Sequence, residues 1–286
     1  MENPRLLGLL IGDGYYAGNS VSLSAAEDEI FNYVNDNYTC SIKKEFEKKS
    51  VDGKYREVTI SGLGPWKRSL GIENDSKGNK KVPKELFTAS REDVCEFLAG
   101  YFDADGHVKV RPSHRAITIC LTSNYKHLLD SVSQLLHKIG IHSTITKENR
   151  DVGVGYEGAQ PFKYVLYINK NRDVRIFNDN IRLLCDTKRE SIQTIEEYTS
   201  HRDANFLKRG TFNQNKEYIV KNGYCEVSNM AQYAIKEIKF LGELDVYNLT
   251  ADKTNTYLAN GFITHNTGGE TDLSAEAEKV LANPKS

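Results

Sequence analysis

Apolar and polar positions along this chain alternate between helical and strand periods, and the sequence of periods runs twice. Leu6-Leu7-Gly8-Leu9-Leu10-Ile11 is an apolar run closed by Gly12-Asp13-Gly14, and the same shape returns as Leu98-Ala99-Gly100-Tyr101-Phe102, closed by Asp103-Ala104-Asp105-Gly106. A self-similar repeat decides architecture before any single residue does. After Gly106, His107-Val108-Lys109-Val110-Arg111 puts basic side chains on one face and valines on the other, the period of a half-buried strand. A second strand is predicted over 116–122. Residues 125–139 carry Leu128, Leu129, Val132, Leu135, Leu136 and Ile139 at helical spacing, and Gly140 stops the helix. Strands over 142–147 and 162–168 follow, the second rich in Tyr, Val and Ile. The first repeat predicts a helix over 25–34 and strands over 42–46 and 55–60. Two α/β units of similar order result.

Beyond about Met230 the pattern changes to short strands separated by turns, over 234–240, 245–250, 256–258 and 262–264, with Gly242, Asn260 and Gly261 between them. Residues 201–229 are polar and rich in Asn and Lys, which predicts a linker. Residues 271–284 predict a helix with Asp272 or Ser274 as N-cap.

Composition narrows the function class. A chain of 286 residues with 39% hydrophobic content can bury a core. No stretch approaches the ~18 apolar residues of a membrane span, and the Met-Glu-Asn-Pro start has no leader character, so a cytoplasmic protein without a membrane partner is expected. Five widely spaced cysteines argue against both a disulfide framework and a zinc site. A net charge of −1 means that any contact with nucleic acid must come from local clustering of basic residues.

One apolar run ending in Gly-Asp-Gly reads equally well as a buried helix with an acidic last turn. Two copies change that. Small residues at Gly8, Ala99 and Gly100 let two such helices approach closely, and each then delivers an aspartate to one place. Two adjacent carboxylates repel unless a cation joins them, and Mg²⁺ prefers such oxygen ligands and can assist phosphodiester displacement.

The paired motifs resemble those of the LAGLIDADG homing endonucleases over about residues 5–200. That resemblance implies an α+β fold with two pseudo-symmetric αββαββα halves, about 1–92 and 93–200, whose motif helices form the interface and whose four-stranded sheets saddle double-stranded DNA. It also implies that Asp13 and Asp105 are the metal-binding catalytic carboxylates, with the Gly12 and Ala104 carbonyls beside them. The first motif departs from the family pattern by having Ile11 and Gly12 where Asp and Ala are usual. Members place a lysine near each site. Lys80-Lys81-Val82-Pro83 fits the usual string, which makes Lys80 the first candidate, and Lys188 is the second. The bland alternative for Lys80 is a solvated lysine in a lysine-rich turn, and no proline fixes the register at Lys188. Lys43, Lys54, Arg56, Lys109, Arg111 and Arg115 are the expected DNA contacts, from strand faces opposite the valine and isoleucine positions.

The tail carries a second chemistry. Leu244-Asp245-Val246-Tyr247-Asn248-Leu249-Thr250 and the segment from Thr256 to Thr267 resemble the last two blocks of inteins, ending in His265-Asn266 and followed by a hydroxyl residue. An Asn side chain can attack its own carbonyl and break the next peptide bond, with a neighbouring His assisting proton transfer. Thr267 would then be the acceptor nucleophile. The resemblance implies a C-terminal, β-rich part of a splicing (Hint) domain over 230–266 and host (extein) sequence over 267–286, which is faintly similar to phage terminase large subunits. Asn248 and Asn255 stand where inteins commonly have Asp and His. Five residues precede the first motif, and none supplies a splicing nucleophile. The expectation is therefore splicing in trans with a separate N-terminal intein fragment. Other readings are a freestanding or decayed DNA-binding protein with an inert tail, a non-cutting regulator, and a hedgehog-type autoprocessing domain.

Overall fold

The computed structural model describes residues 1–15, 21–47, 54–72, 80–149 and 161–198, and five short strands beyond them; the side chains of 42–47, 54–55 and those five strands lie outside the description. Helix α1 (Pro4–Asp13) has a proline in its first turn, where a missing N–H costs nothing, and ends where Gly14 returns to extended backbone. Two short strands, β1 (Gly14–Tyr15) and β2 (Val21–Ala25), lead to helix α2 (Asp28–Asn37) and strands β3 (Cys40–Glu47) and β4 (Lys54–Ile60), followed by helices α3 (Gly64–Ser69) and α4 (Glu85–Thr88).

The second half repeats the order. Helix α5 (Arg91–Asp105) starts at Ser90, whose side-chain oxygen accepts from the Asp93 N–H. Strands β5 (Gly106–Arg111) and β6 (Ala116–Ser123), helix α6 (Lys126–Lys138), strands β7 (Thr144–Asn149) and β8 (Phe162–Ile168), and helices α7 (Asn171–Asn180) and α8 (Asp186–Gln193) complete it. The two antiparallel sheets have the same topology, β1-β2-β4-β3 and β5-β6-β8-β7.

Helices α1 and α5 lie against each other at backbone distance. A Cβ added to Gly8 would sit 2.1 Å from the Phe97 carbonyl oxygen, and one added to Gly100 would sit 2.1 Å from that of Arg5. Real side chains cannot meet there, so both apolar runs carry glycine at the crossing. Leu6, Leu7, Leu9, Leu98 and Ala99 are fully buried around it, each leucine contributing about 1.5–3 kcal/mol of burial. The outer faces of the pair are covered by Val21, Leu23, Val58 and Ile60 of one sheet and by Ile117, Ile119, Leu121 and Leu166 of the other.

Several element boundaries differ from the sequence expectation by one to three residues. The helix expected from residue 25 starts at Asp28, because Val21, Leu23 and Ala25 alternate with Ser22 and Ser24 as a strand paired to β4. Strand β7 begins two residues later than expected.

The chain divides into two compact units, Met1–Tyr233 and Ala234–Ser286. The first also contains β9 (Val220–Lys221), β10 (Tyr224–Cys225) and β11 (Met230–Ala231), in a small antiparallel sheet. In the second, β12 (Thr256–Ala259) pairs antiparallel with β13 (Phe262–His265), Thr256 opposite His265. The strands expected over 234–240 and 245–250, the helix over 271–284, and residues Asn266 and Thr267 lie outside the described residues. No described helix is long and apolar enough to cross a membrane.

Candidate active site and nucleic-acid interface

Each motif helix ends in an aspartate at the same end of the α1–α5 pair. The two ends touch: a Cβ on Gly12 would lie 2.4 Å from the Ala104 Cβ and 3.4 Å from an Asp105 carboxylate oxygen. Solvent reaches Asp105, yet it sits closely enough among protein atoms that lost hydration, and then the like charge of Asp13, push its carboxyl up to about 7, against the pull of Lys80 and Lys188.

Both lysines named from sequence reach this place, from different segments. The Lys80 ammonium donates to the Gly12 carbonyl at 2.5 Å. Burial lowers its pKa, and the charges of Asp105 and Asp13 oppose that shift. Lys188, in the first turn of α8, donates to the Phe102 carbonyl at 3.3 Å and to the Asp103 carbonyl. Each lysine therefore sits on the last turn of one motif helix. The Gly12 carbonyl, expected beside a metal ion, accepts from Lys80 here.

The motif position before the shared small residue differs between halves. Ile11 is buried apolar bulk, 1% exposed. Asp103, wholly buried, accepts from the Leu184 N–H at 2.9 and 2.8 Å and from the Cys185 N–H at 3.1 Å, which holds the start of α8. Arg5 adds a cation 4.0 Å from Asp103 and donates to Glu96 at 2.6 and 3.0 Å. Sequence reading gave Asp103, Arg5 and Glu96 no role. The acidic identity of Asp103 within the motif was the available signal.

On the second sheet, His107, Lys109 and Arg111 project from β5 on its exposed face, while Val108 and Val110 face inward. Register puts Cys120 opposite His107 and Tyr167 opposite Cys120. Burial pushes the Cys120 thiol up, and the charges acting on it are Lys109, Glu148, Arg111 and Lys163. Those groups therefore share one face, on which the Tyr167 hydroxyl donates to Glu148. Lys163 and Tyr167 were missed, although Lys163, Val165 and Tyr167 alternate with Tyr164, Leu166 and Ile168 in the sequence. Arg115 is exposed in the β5–β6 turn with a left-handed backbone, φ 44°.

The first sheet requires a correction. Arg56 was expected opposite the valine and isoleucine positions, but it shares the face of Val58 and Ile60. Its guanidinium lies 4.1 Å from the Phe31 ring centroid and pairs with Asp28, both on α2. The opposite face carries Tyr15, Ser22, Ser24, Glu57 and Thr59, with the Ser22 and Thr59 hydroxyls 3.2 Å apart. Lys43 falls where the register of β3 shifts between Ile42 and Lys44, and Lys54 lies in β4; the side chains of both are outside the described residues.

No three His, Cys, Asp or Glu side chains among the described residues converge as a metal cluster. The Asp13–Asp105 pair nevertheless suits a hard divalent cation, because the like charge of Asp13 helps to raise the Asp105 carboxyl and a cation between the two would relieve that repulsion. Mg²⁺ typically uses one or two carboxylates and completes its shell with water and phosphate oxygens.

Residues 92–182 match the family profile described as LAGLIDADG-like domain, which covers α5 to α7 of the second half. The chain is 28% identical to a DNA polymerase of Thermococcus sp. (strain GE8) over 96% of its own length, but spans 15% of that protein. It is 23% identical to the replicative DNA helicase DnaB of Synechocystis sp. over 93% of its length, spanning 37% of that protein. Among solved structures, it is similar to the homing endonuclease I-WcaI bound to its DNA recognition sequence, at 16% identity and a TM-score of 0.46, covering 65% of this chain and 84% of that one.

Proposed function

We propose that this chain is a metal-assisted, site-specific double-strand DNA endonuclease of the LAGLIDADG type carried within an intein. The observation that bears most weight is the pairing of two motif helices whose terminal aspartates share one place, each helix end holding a lysine on its last carbonyls. Two equivalent half-sites above two sheets of the same topology suit a substrate of two antiparallel strands. The basic face of the second sheet supplies phosphate and base-edge contacts. A bound divalent ion would neutralise the two carboxylates and supply an activated water. The chain's own groups do the rest: Asp13 and Asp105 fix the position of positive charge, while Lys80 and Lys188 bring compact cations to a phosphate that gains charge during displacement.

The intein part of the reading draws on the relatives. Nearly the whole chain matches a small part of a polymerase and also part of a helicase, two proteins of unrelated chemistry. An element inserted into different hosts accounts for that distribution better than a shared activity does. His265 at the end of β13, with Asn266 and Thr267 after it, supplies the order needed for cyclisation and acyl transfer. We assign 230–266 to the C-terminal splicing segment, which acts with an N-terminal intein fragment, and Thr267 onward to the host.

The endonuclease reading is tested by incubating the protein with a randomised plasmid library and Mg²⁺ and sequencing the linearised molecules. A common target should emerge, and Asp105→Asn should lower its cleavage by more than about a hundredfold, since even outer partners of metal sites are worth about 10–100-fold. Absence of any enriched target, or undiminished cutting by the variant, would overturn the reading. For splicing, co-expression with an N-terminal intein fragment should release a product ending at Asn266, and Asn266→Ala should block its release.

A further inference from the structure

Helix α8 starts without a cap of its own. Cys185 occupies the N-cap position and its side chain makes no capping hydrogen bond, so the first amides of the helix take partners from elsewhere. Asp103 takes those of Leu184 and Cys185. The next, the Asp186 N–H, donates at 3.1 Å to a carboxylate oxygen of Glu29, on α2 in the other half of the repeat. The turn is also fastened by Arg189, which donates to the Leu183 and Leu184 carbonyls at 3.1 and 3.3 Å. Lys188 lies one residue before Arg189, and its ammonium reaches the end of α5 only while this turn keeps its place.

We propose that Glu29 is a positioning residue for Lys188: the first half of the molecule caps the helix that carries the second half's lysine, so the second half-site is assembled only when the two halves are docked. The role of Lys188 in cleavage rests on the function proposed above, whereas the hold of Glu29 on α8 does not. A carboxylate at a helix N-terminus is favourable twice over, as hydrogen-bond acceptor and as charge opposite the helix dipole. The first half has a different arrangement, since Ile11 stands where Asp103 would be and offers no acceptor to the segment carrying Lys80. The hold of Glu29 therefore concerns Lys188, while the Lys80 carbonyl lies 3.2 Å from a ring nitrogen of His127, on α6 of the second half.

The test compares the full chain with Glu29→Met, which keeps bulk and helix preference but removes the acceptor, and Glu29→Gln, which retains an amide oxygen. Competitive labelling of lysine amines, read by mass spectrometry, should show Lys188 becoming about three- to tenfold more reactive in Glu29→Met, the range that loss of a helix cap produces. Lys80 should be unchanged and Glu29→Gln close to the parent. With a cleavable plasmid, Glu29→Met should accumulate nicked circles, through loss of turnover on one strand at unchanged KM. Equal labelling of Lys188 in parent and Glu29→Met, or equal slowing of both strands, overturns the proposal. A parent that cuts no DNA defeats the endonuclease reading instead, and the labelling result still decides whether Glu29 holds α8.

Discussion

The two halves share an order of elements and a sheet topology, yet they solve the same local problems with different residues. At the motif position before the final turn, the first half buries Ile11 and the second buries Asp103, which spends its oxygens on the start of α8. On the exposed sheet face, the second half offers His107, Lys109, Arg111 and Lys163, while the described side chains of the first are Tyr15, hydroxyls and Glu57. What stays constant is confined to the seam: glycines at the crossing, an aspartate at each helix end and a lysine on each last turn. The helix pair and the aspartates and lysines at its end are alike in the two halves, whereas sheet faces and outer supports differ.

The largest expected effect comes from breaking the constant part. Gly8→Ala and Gly100→Ala should each destabilise the fold by about 3 kcal/mol or more, because the new methyl meets backbone that cannot move aside. Chemical denaturation measures both, and near-equal losses are the expected sign of equivalence. A cost below about 1 kcal/mol at either position would mean that the helices cross elsewhere.

Next come the two lysines. Lys80→Met and Lys188→Met should each slow cleavage by about a hundredfold, the scale of losing one charged stabiliser of a transition state. Each variant should affect mainly one strand, so single-strand-labelled substrates separate them. Loss of both strands' cleavage from a single substitution would mean that the lysines do not serve separate half-sites.

The smallest effect concerns the sheets. Lys109→Ala with Arg111→Ala should reduce the slope of log affinity against log salt by roughly one unit per lost phosphate contact, while Ser22→Ala with Thr59→Ala should leave it unchanged. Equal slopes in all three proteins would place phosphate contact away from both faces.

Much of this was legible in the sequence because it depends on local pattern. The repeated apolar run, the valine alternation in β5 and the leucines of α6 each follow from a period that one segment displays unaided. The lysines were legible only through the family's strings, as Lys80 and Lys188 lie far along the chain from the carbonyls they reach. Arg56 was misjudged although the alternation of Arg56, Val58 and Ile60 already puts the three on one face; its placement against Asp28 and Phe31 of α2, which lets a cation end that face, has no local signal. Asp103 had its acidic identity within the motif as a signal, whereas Glu29 had none, since a carboxylate that caps a distant helix has no sequence period.

The ends of α1 and α5 are expected to form one divalent-cation site. Titration of the isotope-labelled protein with Mn²⁺, followed through paramagnetic broadening of backbone amide signals, tests it most directly. Broadening should centre on residues 12–14 and 104–106 together, and should disappear when Asp13→Asn and Asp105→Asn are combined. Broadening confined to one helix end, or unchanged by the double substitution, would contradict a shared site.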